Sequence, residues 1–176
     1  AVEHGAQVRP YFIKTQFQPQ FELEDAKRLA AQLGVELTVL ELDVLQVPHV
    51  AENGPDRCYY CKRALFGRLR DQALADGYTV LIDGTNASDD AGDRPGMRAL
   101  GELSVRSPLR ECGITKAEVR RRSKEAGLFT WNKPAYACLA TRVPTGNVVD
   151  GETLQRVEAG EDGLFQLGFS DLRVRV

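Results

Sequence analysis

The strongest constraint on this chain is a repeated junction. A helix-like stretch closes on a glycine, and an apolar, β-prone stretch follows at once. Residues 22–33 carry Leu23, Ala26, Leu29, Ala30 and Leu33 at helical spacing and stop at Gly34, after which residues 35–42 alternate apolar with polar. The junction recurs where residues 56–75, with Leu65, Leu69 and Ala73 on one stripe, end at Gly77 before the apolar run 78–82. Residues 8–14 are also rich in β-formers. Helices set between strands in this way need crossover connections. The strands are then parallel, and the sheet is covered by helices on both faces. The predicted fold class is therefore α/β. Two more helices are predicted. One spans 115–126, opened by the capping-box pair Thr115 and Glu118 and stopped at Gly127. The other spans about 152–167, stops at Gly168, and precedes a last strand at 171–176.

Parallel sheets bind ligands at the carboxyl ends of their strands. Two segments fit that position: Asp83-Gly84-Thr85-Asn86, leaving the 78–82 run, and the long segment 127–150, which holds Trp131, Lys133, Cys138 and Arg142. Charge narrows the ligand class. With 23 Lys and Arg against 25 Asp and Glu, the formal charge is −2, which speaks against a broad DNA or RNA surface but leaves room for a local basic phosphate pocket. No apolar run reaches membrane-spanning length, and no signal peptide opens the chain. Four cysteines are too few for a disulfide scaffold and point to a reducing compartment, where thiols are buried, metal-binding or catalytic.

Cys58 and Cys61 lie three residues apart in Arg57-Cys58-Tyr59-Tyr60-Cys61-Lys62. On a helix that spacing puts both on one face, as a metal pair, a redox couple or two packed core thiols. Cys138, in Ala137-Cys138-Leu139-Ala140-Thr141-Arg142, is a distant candidate for a third ligand, and Cys112 reads as structural. Three thiolates without a fourth suit an iron–sulfur cluster with one open iron, or a zinc with an exchangeable position. The histidines, His4 and His49, are isolated and read as surface residues.

Arg173 and Arg175 alternate with Leu172, Val174 and Val176, so on a strand both guanidiniums face one side, either to hold a phosphate or carboxylate or simply as a solvated edge. The acidic, glycine-bearing loop after Asn86, with Asp89, Asp90 and Asp93, reads either as a Mg²⁺ site or as a solvated turn. Arg94, before Pro95-Gly96, is restrained by the proline and open to being aimed into a site. Glu158, Glu161 and Asp162 are acid candidates whose default is solvation. No G-x-x-x-x-G-K-[ST] or G-x-G-x-x-G occurs, so if the protein uses a nucleotide its phosphate loop is not in these 176 residues.

Taken together, Arg57-Cys58-Tyr59-Tyr60-Cys61-Lys62, Asp83-Gly84-Thr85-Asn86, Arg94-Pro95-Gly96, Ser107-Pro108-Leu109, Trp131-Asn132-Lys133-Pro134, Ala137-Cys138-Leu139-Ala140-Thr141-Arg142 and Arg173-Val174-Arg175 resemble, in order and spacing, the LarE family of PP-loop ATP pyrophosphatases. The resemblance runs from about Phe21 to the last residue. It implies a PP-loop α/β domain over residues 1–145, lacking its first strand and phosphate loop, and the start of a C-terminal substrate and oligomerisation domain over 146–176. It also implies a cytoplasmic homo-oligomer acting on a small mononucleotide, with no nucleic-acid or membrane partner. The implied activity uses ATP and Mg²⁺ to adenylate a pyridinium dicarboxylate mononucleotide. Sulfur, supplied by sulfide or another donor, then replaces AMP to give a thiocarboxylate for the nickel-pincer cofactor of lactate racemase.

By the same resemblance Cys58, Cys61 and Cys138 hold a [4Fe-4S] cluster carrying the sulfide. Arg173 and Arg175 take phosphate, and Glu161 is an acidic site position open to a divalent ion. Lys62, Asp83, Asn86, Arg94 and Arg142 fall in motifs that serve substrate. The alternatives are a sacrificial Cys138, another PP-loop synthetase or thiolase, and a non-catalytic zinc-binding module. The family's S-G-G-x-D-S phosphate loop, expected shortly before Ala1, is not in the chain.

Overall fold

The computed structural model describes residues 5–89 and 95–176. Strands β1 (Tyr11–Lys14) and β2 (Thr38–Glu41) pair in parallel, Tyr11 opposite Thr38 and Lys14 opposite Glu41. Helix α1 (Gln20–Gln32) makes the crossover between them. The α/β class and parallel pairing thus hold, with a small sheet. Residues of one parity, Ile13 and Leu40, are buried, while Val39 on the other face is 37% exposed, so cover on both faces is only partial.

The predicted strand at 78–82 is corrected. Only Ile82 makes an isolated parallel bridge, to Arg106, closed by Asp83 N to Arg106 O and Arg106 N to Leu81 O, each 2.9 Å. A hollow of about 520 Å³, lined by Val8, Tyr11, Phe66, Leu69, Val80 and Ile82, lies between this segment and the chain entering β1. Ladder bonds need strands about 4.8 Å apart and do not cross such a gap. Val80 and Ile82 consequently stay 63% and 54% exposed. Residues 171–176 form no ladder either, although their alternation survives: Leu172 and Val174 are half-buried, Arg173 and Arg175 exposed.

The remaining helices are α2 (Arg57–Ala75), α3 (Pro95–Glu102), α4 (Pro108–Glu111), α5 (Lys116–Glu125) and α6 (Gly151–Gln166). Each glycine stop was read correctly, and for one backbone reason. Gly34, Gly77, Gly127 and Gly168 take φ between 65° and 89°, where a side chain is strained. There the glycine and the residue after it hand their N–H groups to the last open carbonyls, as Gly34 N does to Ala31 O at 3.1 Å and Val35 N to Ala30 O at 3.0 Å. At the other ends, Thr115 Oγ1 accepts from Glu118 N at 3.3 Å and Asp150 Oδ1 from Thr153 N at 2.8 Å.

The main core does not sit on the sheet. Phe17, Val44, Val50, Leu139, Ala140, Val143, Val149, Leu154 and Val157 form one buried cluster. It is built from residues around 42–53, the long 127–150 segment and the inner face of α6. That long segment is therefore not a free loop. It winds through 3-10 turns at Phe129–Asn132 and Leu139–Arg142, and Leu139 and Ala140 have no exposed surface. The packing carries Cys138, at the head of the second turn, back towards the start of α2.

Candidate functional site

Helix α2 presents Cys58 to solvent and half-buries Cys61, and Cys138 arrives half-buried from the 127–150 segment. Arg57 joins them. It is 9% exposed, with Nη2 3.7 Å from Cys58 Sγ and Nη1 3.9 Å from Cys138 Sγ. Its guanidinium also lies 5.5 Å from the ring centre of Phe17, a fully packed core residue. Two thiols from segments far apart in sequence thus share one buried cation, with the third a helical turn away. Burial pushes the Cys61 thiol up to about 12, the neighbouring Cys138 adds to the rise, and Arg57 opposes it.

Among the described residues no three His, Cys, Asp or Glu side chains converge on a common metal position. Arg57 stands between Cys58 and Cys138. In residue type alone the set is compatible with a thiolate-held iron–sulfur cluster: all three side chains are sulfur donors, and the adjacent guanidinium would offset the negative charge of such a centre.

Cys58 also borders a cavity of about 570 Å³, shared with Lys62, Gly84, Thr85, Asp89 and Gly96. Two sequence motifs meet here through Asp83. Its Oδ1 accepts from Thr85 N at 3.2 Å and Ser107 Oγ at 2.7 Å, and its Oδ2 from Thr85 Oγ1 at 2.6 Å. Gly96 lies against the stem of Lys62. A Cβ at Gly96 would fall 3.0 Å from Lys62 Cδ, so the lysine stem would have to give by a few tenths of an ångström. The Lys62 ammonium has no hydrogen-bond or ion-pair partner among the described residues, so its charge is open to an anionic ligand.

Asn86 turns elsewhere, into a hollow of about 280 Å³ with Lys116, Arg120 and Trp131. Lys133, from the Trp131 motif, pairs with Asp25. Arg94, Asp90 and Asp93 lie outside the described residues, and Cys112 is exposed at the end of α4. At the carboxyl ends of β1 and β2 a cleft of about 410 Å³ opens between Lys14, Glu41, Asp43 and Glu158, where a parallel sheet offers its ligand position.

Arg142 and Glu161 are engaged with each other. Arg142 Nε is 2.7 Å from Glu161 Oε1 and Nη2 is 3.0 Å from Oε2, with the two side chains 0% and 1% exposed. Burial alone would raise the Glu161 carboxyl, but bonds from Arg142, Tyr136 and Val174 N hold it below the ordinary glutamate value. A phosphate reaching Arg142, or an ion reaching Glu161, would first have to break this pair. The residues the sequence reading passed over are Arg57 and Tyr136. Arg57 had a visible signal, a cation directly preceding the first cysteine. Glu161 had one too, since Leu154, Val157 and Glu161 fall on one stripe of α6 at i, i+3 and i+7.

The geometry defines an α/β protein with a thiol-bearing cleft. No family profile matches the chain. Curated relatives do. The chain is 36% identical over 154 residues, 88% of its length, to the pyridinium-3,5-bisthiocarboxylic acid mononucleotide synthase of Lactiplantibacillus plantarum. It is 42% identical over the same share to an uncharacterized protein of Synechocystis sp., and 32% identical over 93% of its length to an uncharacterized protein of Methanocaldococcus jannaschii. These matches bear out the LarE resemblance carried by the motifs: the chain is a homologue of that synthase across most of its own length. It spans 56–62% of the length of these relatives.

Proposed function

We propose that this chain is the thiol-bearing part of an ATP-dependent sulfur transferase of the PP-loop type. Its substrate is a pyridinium dicarboxylate mononucleotide, and its product the thiocarboxylate used in nickel-pincer cofactor synthesis. A carboxylate resists nucleophiles because of its charge. Transfer of AMP from ATP, with release of pyrophosphate, turns one of its oxygens into a leaving group. A sulfur nucleophile then forms the C–S bond as the C–O bond to AMP breaks.

The observation that carries this reading is the shared contact of Arg57 with Cys58 and Cys138, one helical turn from Cys61. Cys58, Cys61 and Cys138 would hold the [4Fe-4S] cluster, which when bound supplies the sulfur to be transferred. Arg57 offsets the negative charge of that centre. Lys62, whose stem Gly96 accommodates, offers an ammonium to the substrate's anionic groups beside Cys58. Asp83 ties the 83–86 turn to Ser107 and so shapes the same cavity wall. Arg173 and Arg175, exposed and without an ion-pair partner among the described residues, are the phosphate contacts.

A second reading rests on the same contact. Arg57 Nη1 lies 3.9 Å from Cys138 Sγ, the sulfur that in this reading attacks as a thiolate. That thiolate attacks the acyl-adenylate and AMP leaves; β-elimination then removes the Cα proton of Cys138, the Cβ–S electron pair departs with the thiocarboxylate, and dehydroalanine remains in the chain. The test is anaerobic incubation of the full-length protein with ATP, sulfide and the pyridinium dicarboxylate mononucleotide. Product with sulfur in place of oxygen over repeated turnovers, with Cys138 intact, supports the cluster reading. One sulfur per polypeptide with a desulfurised Cys138 supports the second. No sulfur-containing product overturns both.

A further inference from the structure

We propose that Glu161 is a positioning residue: through one buried carboxylate it holds the Cys138 turn and the Arg173–Arg175 segment in fixed register. The two segments approach that carboxylate from different sides. Arg142 forks onto it from the Cys138 turn, and its remaining donor, Nη1, reaches back to Ala137 O at 2.8 Å, Thr141 Oγ1 at 2.9 Å and Cys138 O at 3.4 Å. The backbone of the thiol-bearing turn is thus clamped to the Arg142 guanidinium, and the guanidinium to Glu161.

On the other side, Glu161 Oε1 accepts from Val174 N at 3.0 Å, the amide lying between the two arginines. Gly160, the residue before Glu161 on α6, faces the Val174 side chain, where a Cβ would make an ordinary contact at 3.5 Å. Val176 N then donates to Arg142 O at 3.3 Å, closing a loop from the segment back to the turn. Tyr136 OH donates to Oε2 and completes the carboxylate's set of acceptor sites. Residues 171–176 have no strand ladder, so these bonds are what fixes their register.

An ion pair at this depth is not needed for stability alone, since apolar side chains of similar size commonly serve as well. What a forked pair adds is direction: two parallel bonds set the angle as well as the distance. The consequence for chemistry rests on the reading that sulfur leaves from Cys138 or its cluster while Arg173 and Arg175 hold phosphate. The register itself does not.

The test uses the full-length protein with three variants. Arg142→Met/Glu161→Leu removes the charges together and leaves no buried charge unpaired, Glu161→Asp retains the charge on a shorter arm, and Tyr136→Phe removes one donor. Alkylation rates of Cys138 and Cys112 by iodoacetamide, and amide exchange at Val174 and Val176, are read by mass spectrometry. In the double variant Cys138 alkylation and exchange at both valines rise together by about tenfold, with Cys112 unchanged. Glu161→Asp and Tyr136→Phe move both in the same direction by less. On substrate, Tyr136→Phe lowers kcat several-fold with KM for ATP unaltered, the signature of misplaced groups rather than lost binding. Wild-type rates at both segments in the folded double variant, or in Tyr136→Phe should the double variant not fold, overturn the proposal. So does a change at one segment alone. Register shifts in a protein that transfers no sulfur count against the activity and leave the coupling standing.

Discussion

Glu161 and Arg142 carry the largest electrostatic stake of any residues described. Substituting Glu161→Gln leaves a buried guanidinium without its counter-charge and should cost about 3–5 kcal/mol, measured by chemical denaturation at pH 7. The pH dependence has a definite sign. The folded carboxyl lies below its ordinary value, so its contribution is fully present above about pH 5 and is lost as pH falls through the folded value. The gap between wild type and Glu161→Gln should be flat from pH 7 to 5 and shrink below about pH 4; a gap that instead widens on acidification contradicts the pairing.

Gly96→Ala tests the cavity wall. Its Cβ meets only the flexible stem of Lys62, so the fold should hold while KM for the anionic substrate rises a few-fold as the ammonium is displaced. An unchanged KM would remove Lys62 from the site. At this scale the sequence was readable where side-chain spacing encodes geometry, as for the two cysteines on α2. It was unreadable where the partner comes from far along the chain. Nothing local to Arg142 announces Glu161, and nothing local to Arg57 announces Cys138.

Among the elements, helix ends were the most legible feature because capping is local chemistry. Thr115 and Asp150 each satisfy one orphan N–H, so Thr115→Ala and Asp150→Ala should each cost about 1 kcal/mol, read as a drop in Tm with activity retained. Strand assignments fared worse for the opposite reason. A strand exists only with a neighbour, and residues 78–82 face a hollow while 171–176 are tied to a side-chain carboxylate and the carbonyl of Arg142. Their β-prone composition was real, but composition does not supply the partner. Helices α3 and α4 were absent from the sequence reading because both are short and lie in the glycine- and proline-bearing stretch after Asp83.

The architecture of the whole molecule follows from where the core lies. A long segment that reads as a loop supplies Leu139, Ala140, Val143 and Val149 to the main buried cluster, so the thiol-bearing turn is as firmly founded as a helix. Leu154→Ala, at a side chain 2% exposed in that cluster, should cost about 2–5 kcal/mol and loosen Cys138 with it, seen as faster alkylation in the folded variant. No helix among the described residues is long and apolar enough to cross a membrane.

The central proposal is that three thiols, Cys58 and Cys138 against one buried guanidinium and Cys61 a helical turn away, serve a single inorganic centre. Its most direct measurement is iron and acid-labile sulfide content after anaerobic reconstitution of the full-length protein, in the wild type and in Cys58→Ser, Cys61→Ser, Cys138→Ser and Cys112→Ser variants. About four irons per chain, lost on substituting any of the first three cysteines and retained in Cys112→Ser, is the predicted result. Iron that survives loss of Cys138, or one equivalent of zinc in its place, would contradict it.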